Sequence, residues 1–382
     1  MTETTLRTIK YRVYPNEQQR ILIAKTIGAS RFVYNKMLEL NKEAYANGEK
    51  LASRNAFNYR LTKLKKEYEW LYEVDSTALT AANDNLANAF KGFFAGKTGF
   101  PNFHKKKFSG SYTSKRIKNT NNISIGDNYV HLPKVGILKA KIHKKSKVDW
   151  NLKSATVSIE SDEKYYVSLL FAFERTINKV PVSTNAIGLD YASNGLYVDS
   201  NGKTGTNHKY YRESQTKLAK QQRRLSRMQG SKKGEAKSNN YIKQLRKVNK
   251  MQRHIANQRL DNLHKISSEI ANQYDVVCVE NLNMRAMANK GFGNGKATMD
   301  NGYGLLQNML EYKLSDRGKY FVKVDKWFPS SQICHRCGTL HPEMKDLRIR
   351  KMACSCGICI SRDQNAAINI KKEGLRILEF GA

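Results

Sequence analysis

The stretch NAIGLDYAS, residues 185–193, decides the fold of the C-terminal half of the chain. It begins as an apolar strand and ends in a carboxylate, Asp190. The stretch YDVVCVE, residues 274–280, has the same form and ends in Glu280. Long helical sequence lies between them, and the order strand, helices, strand predicts an α/β unit. Because strands of such a sheet end at its ligand crevice, we expect Asp190 and Glu280 to lie there.

A third carboxylate, Asp363, stands at the start of RDQNAAINIKK, which predicts a helix beginning beside the sheet. Three carboxylates that converge repel one another unless cations neutralise them, and magnesium or manganese prefers such oxygen ligands. Two metal ions about 4 Å apart could then activate water and stabilise the leaving oxygen of a phosphodiester. The alternative is that each acid is an ordinary capping or surface residue.

Five of the six cysteines lie within residues 334–359. ICHRCG and ACSCG form two pairs, and four thiolates suit a tetrahedral structural zinc. No water-activating glutamate accompanies them, so we predict a structural rather than a catalytic zinc. The predicted ligands are Cys334, Cys337, Cys354 and Cys356. Since the second pair has one intervening residue instead of two, Cys359 or His335 is an alternative to one of them.

The overall charge predicts a polyanionic partner. The chain has 382 residues, 40% of them hydrophobic, and a net charge of +34, so it can bury a core and bind nucleic acid in a salt-sensitive way. No apolar run of about 20 residues is present, and no secretory signal precedes residue 10. We therefore expect a cytoplasmic, nucleoid-associated protein that does not bind membranes.

The N-terminal half predicts a helical bundle inserted into a small β-barrel. TLRTIKYRVYP, residues 5–15, alternates like a strand, and five further strands fit residues 120–175. Helices are predicted from Glu17 to about Ala46, over residues 55–69, and after a cap at Asp75. Six strands closing on themselves would make the barrel.

Two stretches combine basic charge with features of nucleic-acid binding. Residues 95–126 contain no acid, and their interleaved aromatic residues suit a nucleotide-lined groove, although a solvated charged face is the alternative. Residues 209–259 carry sixteen Lys or Arg and two acids, and predict two long basic helices broken near residues 230–234. The candidate contacts are Lys105, Lys106, Lys107, Arg223, Arg224 and Arg259. The glycine-rich residues 291–302 predict a flexible loop beside the site.

These features together resemble a known family. The motifs VYPNEQQ, SRFVYN, GFPNF, GLD, NQRLDNLHK, ENLNM, PSSQICHRCG and SRDQNAAINI run almost from end to end and are similar to those of TnpB, the RNA-guided DNA nuclease of insertion sequences. The resemblance implies a RuvC-type catalytic triad of Asp190, Glu280 and Asp363 on an RNase H-like fold. It also implies a guide RNA from the transposon end, a target-adjacent motif, and cleavage of both strands of double-stranded DNA.

The resemblance further implies a domain arrangement. Residues 1–15 and 111–182 would form the wedge domain, residues 16–110 the recognition domain, and residues 183–382 the nuclease domain, with a zinc-binding insertion at 328–361. The protein would act as a monomeric ribonucleoprotein. Further nucleic-acid contacts are expected at Thr77, Thr80, Asn83, Ser330, Ser331 and Gln332.

The sequence departs from the family pattern at two positions. Ala192 stands where the family has glycine, and Ser361 stands where it has an acid two residues before Asp363. A small residue is kept at the first position, so we expect activity to survive.

Two other functions are weighed: a non-cleaving RNA-guided DNA-binding regulator, and an RNA-free transposase or resolvase. The intact triad argues against the first, and no serine or tyrosine nucleophile motif supports the second.

Overall fold

A computed structural model describes residues 2–48, 53–106, 109–147, 149–182, 184–228, 237–289 and 295–380. The chain divides into a first unit, residues 2–175, and a second unit, residues 176–382. Every helix within the described ranges is too short or too polar to cross a membrane.

The first unit contains a seven-stranded sheet. Its strands are β1 (Thr2–Tyr14), β2 (Gly110–Lys115), β3 (Ser124–Ile125), β4 (Tyr129–Leu132), β5 (Gly136–Lys141), β6 (Asn151–Ile159) and β7 (Tyr165–Thr176). They lie in the order β2-β6-β7-β1-β5-β4-β3. Alternate residues of β6 and β7 are buried, as expected for strands with one face on a core.

The prediction of a closed barrel needs correction. The edge strands β2 and β3 do not pair with each other in the described part of the chain, so no closed barrel is found. The sheet also has one strand more than predicted. The additional strand is β2, which was not predicted because it lies in the basic stretch and its sequence lacks a clear apolar alternation. Tyr112 and Ser114 of β2 are buried, and the strand pairs with β6 over its whole length.

Three helices of the first unit confirm the predicted bundle. They are α1 (Glu17–Ala46), α2 (Arg54–Glu67) and α3 (Ser76–Phe94), with a 3-10 turn at Glu69–Tyr72. Asn16 and Gln19 form a reciprocal capping box at the start of α1, and Asp75 caps α3 through the Thr77 amide. Val33, Leu61 and Leu86 are among the residues of the core that the helices share.

The second unit is built on a four-stranded sheet. β8 (Ala186–Tyr191), β9 (Tyr197–Asp199), β10 (Val276–Glu280) and β11 (Tyr320–Val324) lie in the order β11-β10-β8-β9. β10 is parallel to both β8 and β11, whereas β9 is antiparallel to β8. The predicted strands of Asp190 and Glu280 are confirmed as β8 and β10; β10 ends at Glu280, whereas β8 continues one residue beyond Asp190, to Tyr191.

Helices cover both faces of this sheet. They are α4 (Tyr210–Arg227), α5 (Asn239–Gln273), α6 (Met284–Met287), α7 (Gly295–Asn301), α8 (Tyr303–Ser315) and α9 (Arg362–Phe380). Leu189 and Val279 face a core shared with α5 and α8. Ala186 and Cys278 face the opposite core, which contains Ile370 of α9. The two predicted basic helices are α4 and α5, and the predicted break near residues 230–234 lies outside the described residues.

A small module separates β11 from α9. It contains a 3-10 turn (Pro342–Lys345) and two antiparallel strands, β12 (Lys351–Ala353) and β13 (Cys359–Ser361). Its core consists of Cys334, Met344 and Met352. So few buried apolar residues give little hydrophobic stabilisation, which predicts that the module depends on another source of stability.

Candidate functional site

Asp190 and Glu280 lie side by side at one edge of the sheet. Leu189 pairs with Val279 in the parallel register, and each acid is the next residue of its strand. Neighbouring strands are about 4.8 Å apart, and paired residues of parallel strands point to the same face. Since side chains alternate between faces, both acids point to the side of Ala186 and Cys278, which α9 covers.

Two glycines allow α9 to approach the strands closely. A Cβ added at Gly188 would lie 2.0 Å from the carbonyl oxygen of Ala367, and one added at Gly374 would lie 2.2 Å from the sulfur of Cys278. Helix backbone and strand backbone are therefore in direct contact at Gly188. Asp363 is in the first turn of α9, so this contact sets its position relative to Asp190.

The three carboxylates interact electrostatically. Burial raises the pKa of Asp190 well above its usual value, and the charges of Glu280 and Asp363 raise it further. Burial also raises the pKa of Glu280. None of the three forms an ion pair with Lys or Arg in the described ranges. The charge of Arg362 lowers the pKa of Asp190 but does not outweigh the other causes, so these partly buried acids fit a divalent ion, which takes carboxylate oxygens as ligands.

The carboxylate oxygens of the three acids are nevertheless farther apart than the ligand atoms of a preformed metal site. Among the described residues, the four cysteines are the one group of three or more metal-ligating side chains whose ligand atoms all lie within 4.8 Å of one another.

Buried polar side chains fix the backbone on both sides of Asp190. The hydroxyl of Tyr303 donates to the carbonyl of Leu189 at 3.2 Å. The amide of Asn301 donates to the carbonyls of Ala192 and Ser193, each at 3.2 Å. Asn301 and Tyr303 are both buried, so these hydrogen bonds are shielded from water. The loop that follows Asp190 is therefore held by the α7–α8 segment.

The same segment also caps α4. The carboxylate of Asp300 accepts from the backbone amides of Tyr211 at 3.0 Å and Arg212 at 3.4 Å. Lys209, the N-terminal cap residue of α4, makes no side-chain cap of its own. Asp300 thus satisfies amides at the helix start from another element.

Sequence reasoning missed this role. The prediction of a flexible loop at 291–302 is wrong for residues 295–301, which form α7 and bury Thr298, Asp300 and Asn301. Residues 291–294 lie outside the described residues. Hydrophobic periodicity does not detect such a segment, because hydrogen bonds rather than apolar contacts hold it in place.

The four predicted cysteines come together in the small module. Sulfur–sulfur distances are 3.7 Å for Cys334 and Cys356 and 3.5 Å for Cys337 and Cys354. Zinc–sulfur bonds of about 2.3 Å in a tetrahedron place sulfurs about 3.8 Å apart, so the cluster fits zinc. A disulfide would need about 2.05 Å. A hydrogen bond with Thr339 lowers the pKa of the Cys337 thiol to about 6, which favours the thiolate that binds metal.

The two alternative ligands are not part of this cluster. Cys359 is exposed on β13, and the Nδ1 atom of His335 lies 3.0 Å from Oδ1 of Asn365. The structure therefore resolves the choice that the short Cys354–Cys356 spacing had left open, in favour of Cys356.

The zinc-binding module is attached directly to α9. Asn365 accepts from the His335 amide at 3.0 Å and donates to the Ile333 carbonyl at 2.7 Å. Asn369, one turn further, donates to the carbonyls of Ser330 at 2.8 Å and Ile333 at 2.6 Å. The cysteine loop and Asp363 are consequently positioned by the same helix.

The predicted contact residues on α3 differ in accessibility. Thr77 and Thr80 are half-buried, and Thr77 bonds to Asp75. Asn83 is fully buried and donates to Asn58 of α2 at 3.1 Å, so it has no surface for a base. It lies inside the bundle because that side of α3 faces α2. Contacts by Thr77 and Thr80 stay a prediction.

The predicted basic and aromatic groove corresponds to a cavity of about 520 Å³ in the first unit, bounded by α1, α3, β2 and residues 103–105. Lys105 lines it, and Lys105 and Lys106 are exposed. Lys107 lies outside the described residues. His104 stacks on Tyr34 with ring centroids 3.9 Å apart, and Lys42 lies 4.7 Å from the Phe103 ring. Nucleic-acid binding here stays a prediction.

The remaining predicted contacts lie in the second unit. Arg223 and Arg224 are exposed on α4, whereas Arg259 is half-buried and donates to the carbonyl of Met299 at 2.9 Å. Ser330 is buried, and Ser331 accepts from Arg362 at 3.3 Å. The carbonyl of Gln332 accepts from the His341 amide at 2.8 Å. These three residues thus make contacts within the module and with α9, and nucleic-acid binding by them stays a prediction.

Comparison with known proteins matches three parts of the sequence to family descriptions. Residues 303–370 match "Cas12f1-like, TNB domain", residues 156–291 match "Probable transposase", and residues 1–50 match "Helix-turn-helix domain". The last description does not fit the structure, in which residues 2–48 form β1 and the single helix α1.

Two curated relatives match the chain almost completely. A Streptomyces pristinaespiralis protein named "Putative RNA-guided DNA endonuclease" is 33% identical over 98% of this chain and 91% of its own length. The Escherichia coli (strain K12) protein "Putative RNA-guided DNA endonuclease InsQ" is 28% identical over 98% of this chain and 94% of its own length.

A solved structure shows the same fold. A chain in a structure of "the Cas12f1-sgRNA-target DNA complex" aligns with 96% of this chain and 99% of its own length at a TM-score of 0.59 and 14% identity. The protein therefore has a Cas12f-like fold with a TNB domain, whose four cysteines form the cluster described above. The similarity to the Streptomyces pristinaespiralis protein extends over almost the whole chain, and the family matches agree with it. We therefore conclude that the chain belongs to the TnpB family, the OrfB proteins of IS605-type transposons.

Proposed function

We propose that this protein is an RNA-guided DNA endonuclease of an IS605-type insertion sequence. Guided by an RNA derived from the transposon end, it recognises DNA beside a short target-adjacent motif and cleaves both strands at one RuvC-type site on an RNase H-like domain. One observation carries the proposal. The strand register and the close packing of α9 bring Asp190, Glu280 and Asp363 to one sheet edge, where no Lys or Arg of the described ranges forms an ion pair with them.

In this proposal Asp190, Glu280 and Asp363 hold two magnesium or manganese ions. When bound, such ions activate the attacking water and stabilise the leaving oxygen of the phosphodiester. Burial and the neighbouring carboxylates raise the pKa of Asp190, and a bound cation would lower it, so metal binding would favour the ionised form of this acid. Tyr303 and Asn301 keep the backbone of this acid in place through the carbonyls of Leu189, Ala192 and Ser193.

Nucleic acid is held mainly through charge. Arg223 and Arg224 project from α4 into solvent, and the whole chain has a net charge of +34. Such a charge binds phosphate backbones without reading sequence, which suits a protein whose guide RNA reads the target by base pairing. Lys105 and Lys106 at the cavity of the first unit, with Thr77 and Thr80, are proposed to lie near the target-adjacent duplex.

We extend the proposal to the domains. Residues 1–15 and 111–182 serve as the wedge, 16–110 as the recognition domain, 183–382 as the nuclease domain, and 328–361 as a zinc-binding insertion. The four-cysteine cluster supports structural zinc in that insertion. The active species is proposed to be a monomeric ribonucleoprotein in the cytoplasm.

The proposal is tested by purifying the protein from cells that also express the flanking transposon end. We expect a discrete RNA to co-purify, because the protein needs it as a guide. The purified ribonucleoprotein should then cleave a DNA library with randomised flanks when magnesium is present and not when it is chelated. Absence of co-purifying RNA would count against the proposal. RNA-dependent binding without cleavage in magnesium would indicate a non-cleaving regulator instead.

A further inference from the structure

Trp327 exposes its side chain to an unusual degree. The residue is 80% exposed, whereas Trp150 stacks on Phe173 with ring centroids 4.5 Å apart. A large aromatic group in water keeps apolar surface that a partner could bury with a gain in free energy. Single exposed apolar residues are common, so the surroundings of Trp327 decide whether this exposure has a purpose.

Its position places it at the carboxylate edge of the sheet. Val324, the last residue of β11, is paired in register with Glu280. Trp327 is three residues further along the chain, so its Cα lies within about 11 Å of that of Val324. Trp327 therefore follows β11 at the edge of the sheet where Asp190 of β8 and Glu280 of β10 lie.

The backbone beneath the indole is fixed. The amide of Trp327 donates to the Asp325 carboxylate at 2.8 Å, and the amide of Phe328 donates to the Asp325 carbonyl at 3.1 Å. Phe328 packs against the core that contains Ile370. The ring thus projects from an anchored turn, which lowers the entropy that binding would cost.

A cation accompanies the ring. The Nζ atom of Lys326 lies 4.7 Å from the centroid of the Trp327 ring. An aromatic face beside a positive charge is the combination with which proteins hold single-stranded nucleic acid, through base stacking and phosphate contact. A buried aliphatic partner would have no use for the lysine, so the pair favours a nucleotide.

We propose that Trp327 stacks on an unpaired base of the DNA strand presented to Asp190, Glu280 and Asp363, and that Lys326 contacts the adjoining phosphate. This inference rests on the proposed function. The ligand is single-stranded DNA of no particular sequence, since every base has a face on which an indole can stack. Trp327 is a positioning residue that holds the strand beside the carboxylates.

The test uses a single-stranded DNA oligonucleotide containing 2-aminopurine, whose fluorescence falls when the base stacks. It is added to the purified ribonucleoprotein carrying Asp190→Ala, so that the probe is not cut. We expect saturable quenching of the probe by the protein with Trp327. Trp327→Ala should bind the probe about 5- to 150-fold more weakly, the range typical of replacing an aromatic residue that stacks on one base by alanine. Trp327→Phe should restore most of the quenching. Leu347→Ala, which removes another exposed apolar side chain of the region, is the matched control and should bind normally.

Several results would overturn the inference. The first is equal quenching of the DNA probe by Trp327→Ala and by the parent. The second is a Trp327→Phe variant that keeps its melting temperature but does not restore quenching. The third is equal quenching of a single-stranded RNA probe of the same sequence. The assay needs no cleavage, so its outcome is separable from that of the proposed function. If the quenching depends on Trp327 but the ribonucleoprotein with an intact Asp190 fails to cut DNA in magnesium, only the endonuclease proposal is contradicted.

In the cleavage-competent ribonucleoprotein, Trp327→Ala should lower the rate of strand cutting while target binding, measured with Asp190→Ala present, changes little. A purely structural role would lower both together with the melting temperature. Equal cutting rates for Trp327→Ala and the parent would contradict the positioning role.

Discussion

At the scale of single residues, the three carboxylates of the candidate site disfavour one another's charge. Asp190 is partly buried and close enough to Glu280 and Asp363 for their charges to raise its pKa. Because the pKa is raised in the folded state, the contribution of Asp190 to stability is complete at pH values below its pKa in the unfolded chain, about 3.9. This contribution is lost as the pH rises through the pKa of the folded state. Ionising Asp190 in the folded, metal-free protein therefore costs stability, as is common for acids at functional sites.

We predict that Asp190→Asn raises the melting temperature of the metal-free protein at pH 7. The amide keeps the shape of the side chain and removes the charge, and each kcal/mol gained shifts the midpoint by about 2–4 °C for a unit of this size. Magnesium should stabilise the parent more than the variant. Differential scanning fluorimetry with and without EDTA measures both effects. The control is Asp261→Asn, an exposed acid paired with Lys265. A lower melting temperature for Asp190→Asn would show that the carboxylate is structural.

Gly188 provides a second prediction at this scale. Gly188→Ala brings a methyl group to 2.0 Å from the Ala367 carbonyl, so α9 must move away from β8 and carry Asp363 with it. We expect a lower melting temperature and a loss of cleavage of at least tenfold, because catalytic groups tolerate displacements of only about 0.5 Å. Gly28→Ala is the control, since nothing lies within 4 Å of its Cβ position. Full activity of Gly188→Ala would show that α9 does not position Asp363 in this way.

At the scale of elements, α9 joins the carboxylate site to the cysteine cluster. Its first turn carries Asp363, and Asn365 and Asn369 bind the cysteine loop through the carbonyls of Ser330 and Ile333. Loss of zinc should therefore disturb the carboxylate site through the helix, although no cysteine belongs to that site. The zinc-binding module has a core too small to stay ordered by hydrophobic burial alone.

We predict that Cys354→Ser removes the zinc and lowers cleavage, whereas Cys359→Ser leaves both unchanged. The two cysteines are five residues apart, but only Cys354 belongs to the sulfur cluster. Zinc content per chain, measured by elemental analysis, and cleavage rate are the two readouts. A full complement of zinc in Cys354→Ser, or its loss in Cys359→Ser, would assign the ligands differently.

The elements also show how far the sequence predicts the structure. Helix α1 and the strands β8 and β10 were predictable, because capping residues and apolar runs define them locally. Strand β2 and helix α7 were not. The first is stabilised by pairing with β6, and the second by hydrogen bonds to the loop after Asp190, so both depend on contacts between distant parts of the sequence.

The site itself was only partly predictable for the same reason. The sequence indicates which acids end which strands, but not that Gly188 and Gly374 allow α9 to lie against the sheet. Asn83 was predicted with Thr77 and Thr80 to contact nucleic acid, yet the sequence alone cannot tell which side of α3 meets α2. The fourth zinc ligand likewise needed the folded module.

At the scale of the whole molecule, charge governs association. With a net charge of +34, the protein should bind nucleic acid with an affinity that falls steeply as salt rises. Residues that touch phosphates contribute to that salt dependence, whereas lysines already paired with acids contribute little. The exposed arginines of α4 are candidates for phosphate contacts, whereas Lys25 and Lys145 are already paired with acids.

We predict that Arg223→Gln with Arg224→Gln reduces the slope of log affinity against log salt by about two, because each arginine would otherwise neutralise one phosphate. Lys25→Gln with Lys145→Gln removes the same net charge from side chains paired with Glu73 and Asp127 and should leave the slope unchanged. Filter binding of the guide RNA and of target DNA over a salt series measures the slopes. Equal slopes for the two double variants would mean that only overall charge matters.

The central claim is that Asp190, Glu280 and Asp363 form the centre that cuts DNA. Its most direct test compares cleavage and RNA-dependent target binding by the Asp190→Ala ribonucleoprotein with those of the parent, in magnesium, with Asp261→Ala as control. We predict that Asp190→Ala abolishes cleavage of both strands and leaves target binding within about twofold, because the acid touches metal rather than the phosphate backbone. Cleavage by Asp190→Ala at a rate near that of the parent would contradict the claim.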